Sequence, residues 1–175
     1  SQTYRSQGLI QTSEKINKIS SNEIMEKSEK ILNDILEIEK HNTSKKGIAK
    51  AYLELSRLFF VWRREKKHYH IAIKYGEKAA KAYKKASAPE GESSAYIMIG
   101  NTYGILLKEY EKCEINLKKS VNILKKTKNF DKIVMAYLNI GGLYADTRKH
   151  DLAKQYISKA YKINKLNKKK NQTYN

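Results

Sequence analysis

The sequence predicts an all-α fold, and three observations carry that prediction. Glycine is sparse, with 8 residues in 175, and Pro89 is the only proline, while Ala, Leu, Lys, Glu and Ile dominate; such a composition favours helix over a turn-rich β fold. The phrase AYIMIGNTYG at 95–104 returns as AYLNIGGLYA at 136–145 and, more weakly, as AYLELSRLFF at 51–60. No apolar run reaches the length of a membrane crossing, so no membrane insertion is expected and the apolar stripes must cover one another.

Aligning the copies gives Tyr52, Leu55, Ser56 and Phe59, then Tyr96, Ile99, Gly100 and Tyr103, then Tyr137, Ile140, Gly141 and Tyr144. The spacing of three, one and three places them on one stripe of a helix. Each phrase is expected to be the first helix of a two-helix unit, its small residue admitting a close neighbour. A second phrase follows: Ala72, Gly76 and Ala79, then Cys113, Leu117 and Ser120, then Ala153, Ile157 and Ala160. Its small ends are seven residues apart, two helical turns, and mark a closely packed second helix. Cys113 takes an alanine slot and reads as a buried packing residue, since nothing near it specifies thiolate activation.

The first unit departs most. Sixteen residues separate Ser56 from Ala72, against thirteen from Gly100 to Cys113 and twelve from Gly141 to Ala153. The insertion contains VWRREKKHYH, and longer helices or a longer turn would preserve the packing face. Trp62 in it reads as an edge-of-core residue ahead of an exposed anchor, because aromatics at helical spacing usually pack.

Ahead of the array, Ile24, Ile31, Leu32, Ile35 and Leu36 recur at helical spacing, with Ser21 or Asn22 as N-cap. Residues 22–40 therefore read as the second helix of a divergent earlier unit, with 3–18 as its first. Counting forward from Ala160 by the sixteen residues that separate Ala79 from Ala95 passes the last residue. Ile157, Tyr161 and Leu166 are expected to lack a cover, and the chain reads as a piece of a longer array. The resulting division is a divergent hairpin at 1–47, repeats at 48–90, 91–131 and 132–170, and a tail at 171–175.

The aromatic, apolar-small pair and tyrosine of the first helix, followed by an alanine and an apolar residue in the second, resemble the tetratricopeptide repeat (TPR) over about residues 48–168. Tyr stands where the signature Trp would be, the closing Pro is absent, and the period is 40 to 44 residues. That length resembles the long-period arrays of kinesin light chains and of bacterial regulatory and sensor proteins. The resemblance implies a right-handed α-α superhelix, or solenoid, of antiparallel helix pairs. It further implies a non-catalytic protein- or peptide-binding module, serving as a scaffolding or sensory part of a larger bacterial regulatory protein.

In such arrays the first helices line a groove, and the positions left over from packing are Lys50, Glu54 and Arg57 in the first copy, Ser94, Met98 and Asn101 in the second, and Met135, Asn139 and Gly142 in the third. Asn101 and Asn139 can hydrogen-bond an extended backbone, and Met98 and Met135 offer adaptable apolar contact. The two-carboxylate clamp of chaperone adaptors in this family is absent, because Leu53, Arg57, Met98, Met135 and Asn139 occupy its slots.

The formal charge of +18 allows a second reading, nucleic acid or an anionic surface bound through lysine-rich faces. It is disfavoured because the excess is lysine, with arginine only at five positions, and arginine is the better bidentate phosphate ligand. Lys, Asn and Ile also share AT-rich codons, a bias that needs no polyanion to explain it. A third reading is self-association through the uncovered last helix. No glycine-rich phosphate loop, HExxH or nucleophile elbow occurs, so no enzyme, cofactor or metal site is expected. His68 and His70 are two apart and point in different directions on a helix. One cysteine forms no intrachain disulfide, so the compartment stays open, with cytoplasm ahead of a periplasm that would require a removed leader.

Overall fold

The computed structural model describes residues 23–41, 43–62, 65–127 and 129–172, and every regular element among them is helical. The helices are α1 (23–41), α2 (Lys45–Val61), α3 (Lys66–Lys85), α4 (Pro89–Asn101), α5 (Tyr110–Leu124), α6 (Phe130–Asp146) and α7 (His150–Gln172), with α4 continued by a π-helical segment over Thr102–Leu107. The three first phrases lie in α2, α4 and α6, and the three second phrases in α3, α5 and α7. The N-caps have visible causes. Ser44 Oγ accepts from Gly47 N at 3.1 Å, Asn129 Oδ1 accepts from Lys132 N at 3.1 Å, and Pro89 opens α4, where its missing N–H costs nothing.

Connections of two to five residues make consecutive helices neighbours. Among the described residues, Thr43 (φ 54°), Ser87 (52°), Lys108 (60°) and Arg148 (57°) turn the chain in the left-handed region. At Arg148 the flanking bonds run from Arg148 N to Ala145 O and from Lys149 N to Tyr144 O, and at Ser87 from Ser87 N to Lys84 O and from Ala88 N to Tyr83 O. These are Schellman turns, which satisfy the last carbonyls of the helix.

The small residues do the packing expected of them. Ser56 Oγ donates to the carbonyl of Ala72 at 2.7 Å. A Cβ on Gly100 would stand 3.3 Å from the carbonyl of Cys113, and one on Gly141 3.6 Å from the carbonyl of Ala153. The same helix-to-helix approach therefore occurs in all three units. Beside it Leu55, Ile99 and Ile140 are at most 2 % exposed, and burying each stabilises by about 1.5–3 kcal/mol. That exceeds the ~1 kcal/mol by which an adjacent glycine weakens its helix.

The unequal unit lengths are absorbed inside helices. In the first unit α3 begins six residues before Ala72, whereas α5 and α7 begin three before Cys113 and Ala153. The insertion is thus mostly one extra turn of helix, and it places His68 and His70 on α3. Trp62 packs at the edge of a cluster of Met25, Phe59 and Ala72. In the second unit the left-handed Lys108 lies eight residues after Gly100, while Arg148 lies seven after Gly141; both stand five before the small residue of the next helix. The surplus residue falls before the turn, and the π-helical segment takes it up as a bulge of the kind a one-residue insertion produces.

Two larger clusters show how units join. Ala49 and Leu53 of α2 pack with Ala79, Ala80 and Tyr83 of α3 and with Ala95 of α4. Leu117, Val121 and Leu124 of α5 pack with Ile133, Ala136 and Ile140 of α6 and with Ala153 of α7. α3 is therefore covered by α4, and α5 by α6, in each case the first helix of the following unit. At the other end α1 buries Met25 and Leu36, half-buries Leu32, and leaves Ile24, Ile31 and Ile35 exposed together with Ile38. The isoleucines expected to pack are therefore exposed. The helix expected over 3–18 and the caps at Ser21 and Asn22 lie outside the described residues.

Candidate functional site

The strip positions lie at matching places on α2, α4 and α6. Lys50, Glu54 and Arg57 form one row, Ser94, Met98 and Asn101 a second, and Met135, Asn139 and Gly142 a third. In the first row Arg57 Nη1 lies 3.1 Å from Glu54 Oε1, so these charges answer each other. In the second, Ser94 Oγ donates to Glu90 O at 2.9 Å, and Met98 packs against the cluster that holds Leu53 and Ala95. In the third, Met135 is 62 % exposed and a Cβ on Gly142 would meet nothing. Asn101 and Asn139 are half-buried, and neither side-chain amide hydrogen-bonds another described residue.

Charge divides sharply between the two kinds of helix. The segment from Pro89 through Leu107 contains no Lys or Arg and α6 contains only Lys132, whereas α3 and α7 carry seven lysines each. The strip on α4 and α6 is therefore close to neutral while the second helices are basic.

Some of those lysines have a packing role that the sequence reading missed. Lys78 and Lys119, each six residues after the small residue of its helix, place their ammonium groups 5.3 and 5.5 Å from the ring centroids of Tyr52 and Tyr96. Lys159 holds the same place in α7 and lies 4.5 Å from the Tyr156 ring, which stands 6.0 Å from Tyr137. A lysine stem lying over a half-buried tyrosine gains cation–π attraction and covers apolar surface. The visible signal was Lys at the same offset in every unit. A groove of about 350 Å³ opens beside these rings between α3, α4 and α5, lined by Tyr96, Ile99, Tyr103, Lys112 and Lys119. It lies on the basic side of the molecule, away from the strip.

Cys113 is 3 % exposed with its sulfur against Gly104, and burial pushes the thiol pKa up to about 11. A thiol held neutral is inert. His68 is buried against Phe59, their ring centroids 6.0 Å apart, while His70 is exposed. Among the described residues no three His, Cys, Asp or Glu side chains cluster as metal ligands, and no helix is long and apolar enough to cross a membrane.

Two carboxylates tie units together. Glu114 of α5 accepts from Tyr144 Oη of α6 at 2.6 Å and also pairs with Lys118; Glu90 of α4 accepts from Lys132 Nζ at 2.8 Å and Asn129 Nδ2 at 2.9 Å. The Lys118 bond, then the Tyr144 bond, holds Glu114 below the usual value of 4.5; for Glu90 the Lys132 bond leads and Asn129 follows. A lowered folded-state pKa contributes stability that is present above 4.5 and is lost as pH falls through the lowered value. The urea midpoint is expected to drop between about pH 6 and about pH 3, and Glu90→Gln with Glu114→Gln should shrink that drop. Paired urea titrations of wild type and double variant at the two pH values check this.

The chain matches no known protein-family profile and no curated protein. It is similar in structure to BtubC (BKLC) from P. vanneervenii, whose crystal structure superposes with a TM-score of 0.67 at 15 % sequence identity over 81 % of this chain. The match spans 57 % of BtubC's own length, and at that identity it shows an all-helical, repeat-like fold.

Proposed function

We propose that this chain is a TPR-like, right-handed α-α solenoid that binds an extended segment of a partner protein along the first-helix strip and performs no catalysis. The observation that carries this reading is the pair of half-buried amides, Asn101 and Asn139, with unused hydrogen-bonding capacity on a nearly neutral face. A side-chain amide offers both a donor and an acceptor, the pair an extended peptide backbone presents. Met98 and Met135 add apolar surface without demanding one side-chain shape. The scaffolding or sensory role in a larger regulatory protein follows from the TPR resemblance.

A random peptide library selected against the intact chain is expected to enrich binders. Asn101→Ala with Asn139→Ala should weaken them by about tenfold or more, as for central polar contacts in an interface, with little change in salt dependence. The groove lined by Lys112 and Lys119 favours a second reading, attraction of a polyanion to the second-helix side. A selected peptide whose affinity falls steeply with salt and ignores the Asn substitutions would support that reading instead.

A further inference from the structure

We propose that the exposed face of α6 and α7 docks an acidic amphipathic helix of a partner protein, seated as α6 is seated on α4 and α5. The repeat register supplies the geometry. Ile157 and Tyr161 of α7 hold the places of Leu117 and Val121 in α5, and Leu138 of α6 holds the place of Leu53 in α2 and Ile97 in α4. Where a following helix packs, these places are closed or half-closed: Leu117 is 1 %, Val121 4 % and Leu53 4 % exposed, and Ile97 is half-buried. On the last unit Leu138, Ile157 and Tyr161 are 46, 46 and 64 % exposed. The stripe is thus built for a helix, and its spacing is that of contacts already made twice in the same molecule.

The described chain does not fill it. The place at which α5 ends, Leu124, corresponds to Asn164, yet α7 continues unbroken to Gln172. Residues that correspond to the turn and the start of α6 are spent on lengthening α7.

Charge selects the occupant. In α5 the position that meets the following helix is Glu114, whose carboxylate receives the hydroxyl of Tyr144; in α7 that position is Lys154. The stripe is further flanked by exposed Lys162 and Lys165, with Asp151 the only carboxylate of the helix. A helix carrying a carboxylate where α6 carries Tyr144, with further acids flanking its apolar stripe, complements this face. A second copy would bring lysine against lysine on chains of +18 each. The α7 half of this surface, Lys154, Ile157 and Tyr161, stands apart from the first-helix strip, whereas Leu138 adjoins the strip one helical turn from Met135 and Gly142; docking there does not require the strip to bind a peptide.

The test uses the intact chain and three labelled synthetic peptides followed by fluorescence anisotropy. One is an amphipathic helix with a leucine stripe flanked by glutamates, the second its scrambled isomer, and the third keeps the stripe with lysines in place of glutamates. The first is expected to bind, and Ile157→Ser with Tyr161→Ser to weaken it about tenfold or more. Tyr161 is largely and Ile157 about half exposed, so circular dichroism of that variant should match wild type. Lys154→Glu should weaken the acidic peptide and strengthen the lysine peptide, and Asn101→Ala, on α4 and outside the stripe, should change neither. Failure of the acidic helix to bind, or equal binding of the scrambled isomer, would overturn the proposal. So would a dimer seen by light scattering that Ile157→Ser with Tyr161→Ser dissolves, since a second copy would then be the cover.

Discussion

Leu117→Ala is expected to destabilise the chain by about 3 kcal/mol, and Ile157→Ala, at the corresponding place one unit later, by under ~1 kcal/mol. Leu117 is 1 % exposed because α6 lies over it; Ile157 is 46 % exposed, and no helix among the described residues follows α7 to cover it. The same aliphatic truncation at the same register therefore removes a filled core position in one unit and a half-wet one in the other. Leu→Ala in a closed core loses both transfer free energy and a cavity term, whereas at Ile157 water already reaches much of the side chain. Urea denaturation of both variants beside wild type reads the difference, and comparable losses would mean that the two second helices are not equivalent.

Gly91→Ala should cost about 2 kcal/mol, whereas Gly142→Ala should stabilise by up to ~1 kcal/mol. A Cβ on Gly91 would stand 2.3 Å from ring atoms of Tyr83, a buried side chain that also packs with Ala79, Ala80 and Ala95. The ring must shift, and its neighbours with it. Gly142 is exposed in the body of α6 and a Cβ there meets nothing, so the substitution only recovers the backbone entropy that glycine loses on entering a helix. Thermal melts of the two variants should move in opposite directions. The strip reading makes a further demand on Gly142→Ala: the stabilised variant should keep its peptide affinity, since a methyl there lies at the rim of the third row.

Packing residues were legible because they obey a repeated spacing. Ser56, Gly100 and Gly141 were identified by their place beside Leu55, Ile99 and Ile140, and each abuts the carbonyl of the small residue in its partner helix. The exposure of Ile157, Tyr161 and Leu166 was likewise visible, because solenoid faces are buried only by a neighbouring unit and none follows among the described residues. The π-helical turn was not legible. One surplus residue between Gly100 and Cys113 could have entered a loop as readily as a helix, and only the position of Lys108 shows which. For α1, several hydrophobic residues at helical spacing defined more than one stripe, and periodicity alone does not say which faces the core: Leu36 does, Ile31 and Ile35 do not. The lysines over Tyr52 and Tyr96 were folded into a net charge, a quantity that carries no positions.

In the proposed site, spacing named the strip but gave no sign that Glu54 and Arg57 pair with each other, or that Asn101 and Asn139 keep their amides free. Those properties depend on rotamers and on neighbours across helices. The binding surface therefore reduces to the second and third rows, with the first row held in an ion pair worth little while it remains exposed.

The most direct test is chemical-shift mapping of the ¹⁵N-labelled chain with a peptide selected against it. Peptide binding along the first-helix strip predicts that the largest perturbations cluster at Met98, Asn101, Met135 and Asn139, and that the lysine-bearing faces of α3 and α5 stay quiet. Perturbations confined to the groove around Lys112 and Lys119, with the strip unmoved, would contradict it.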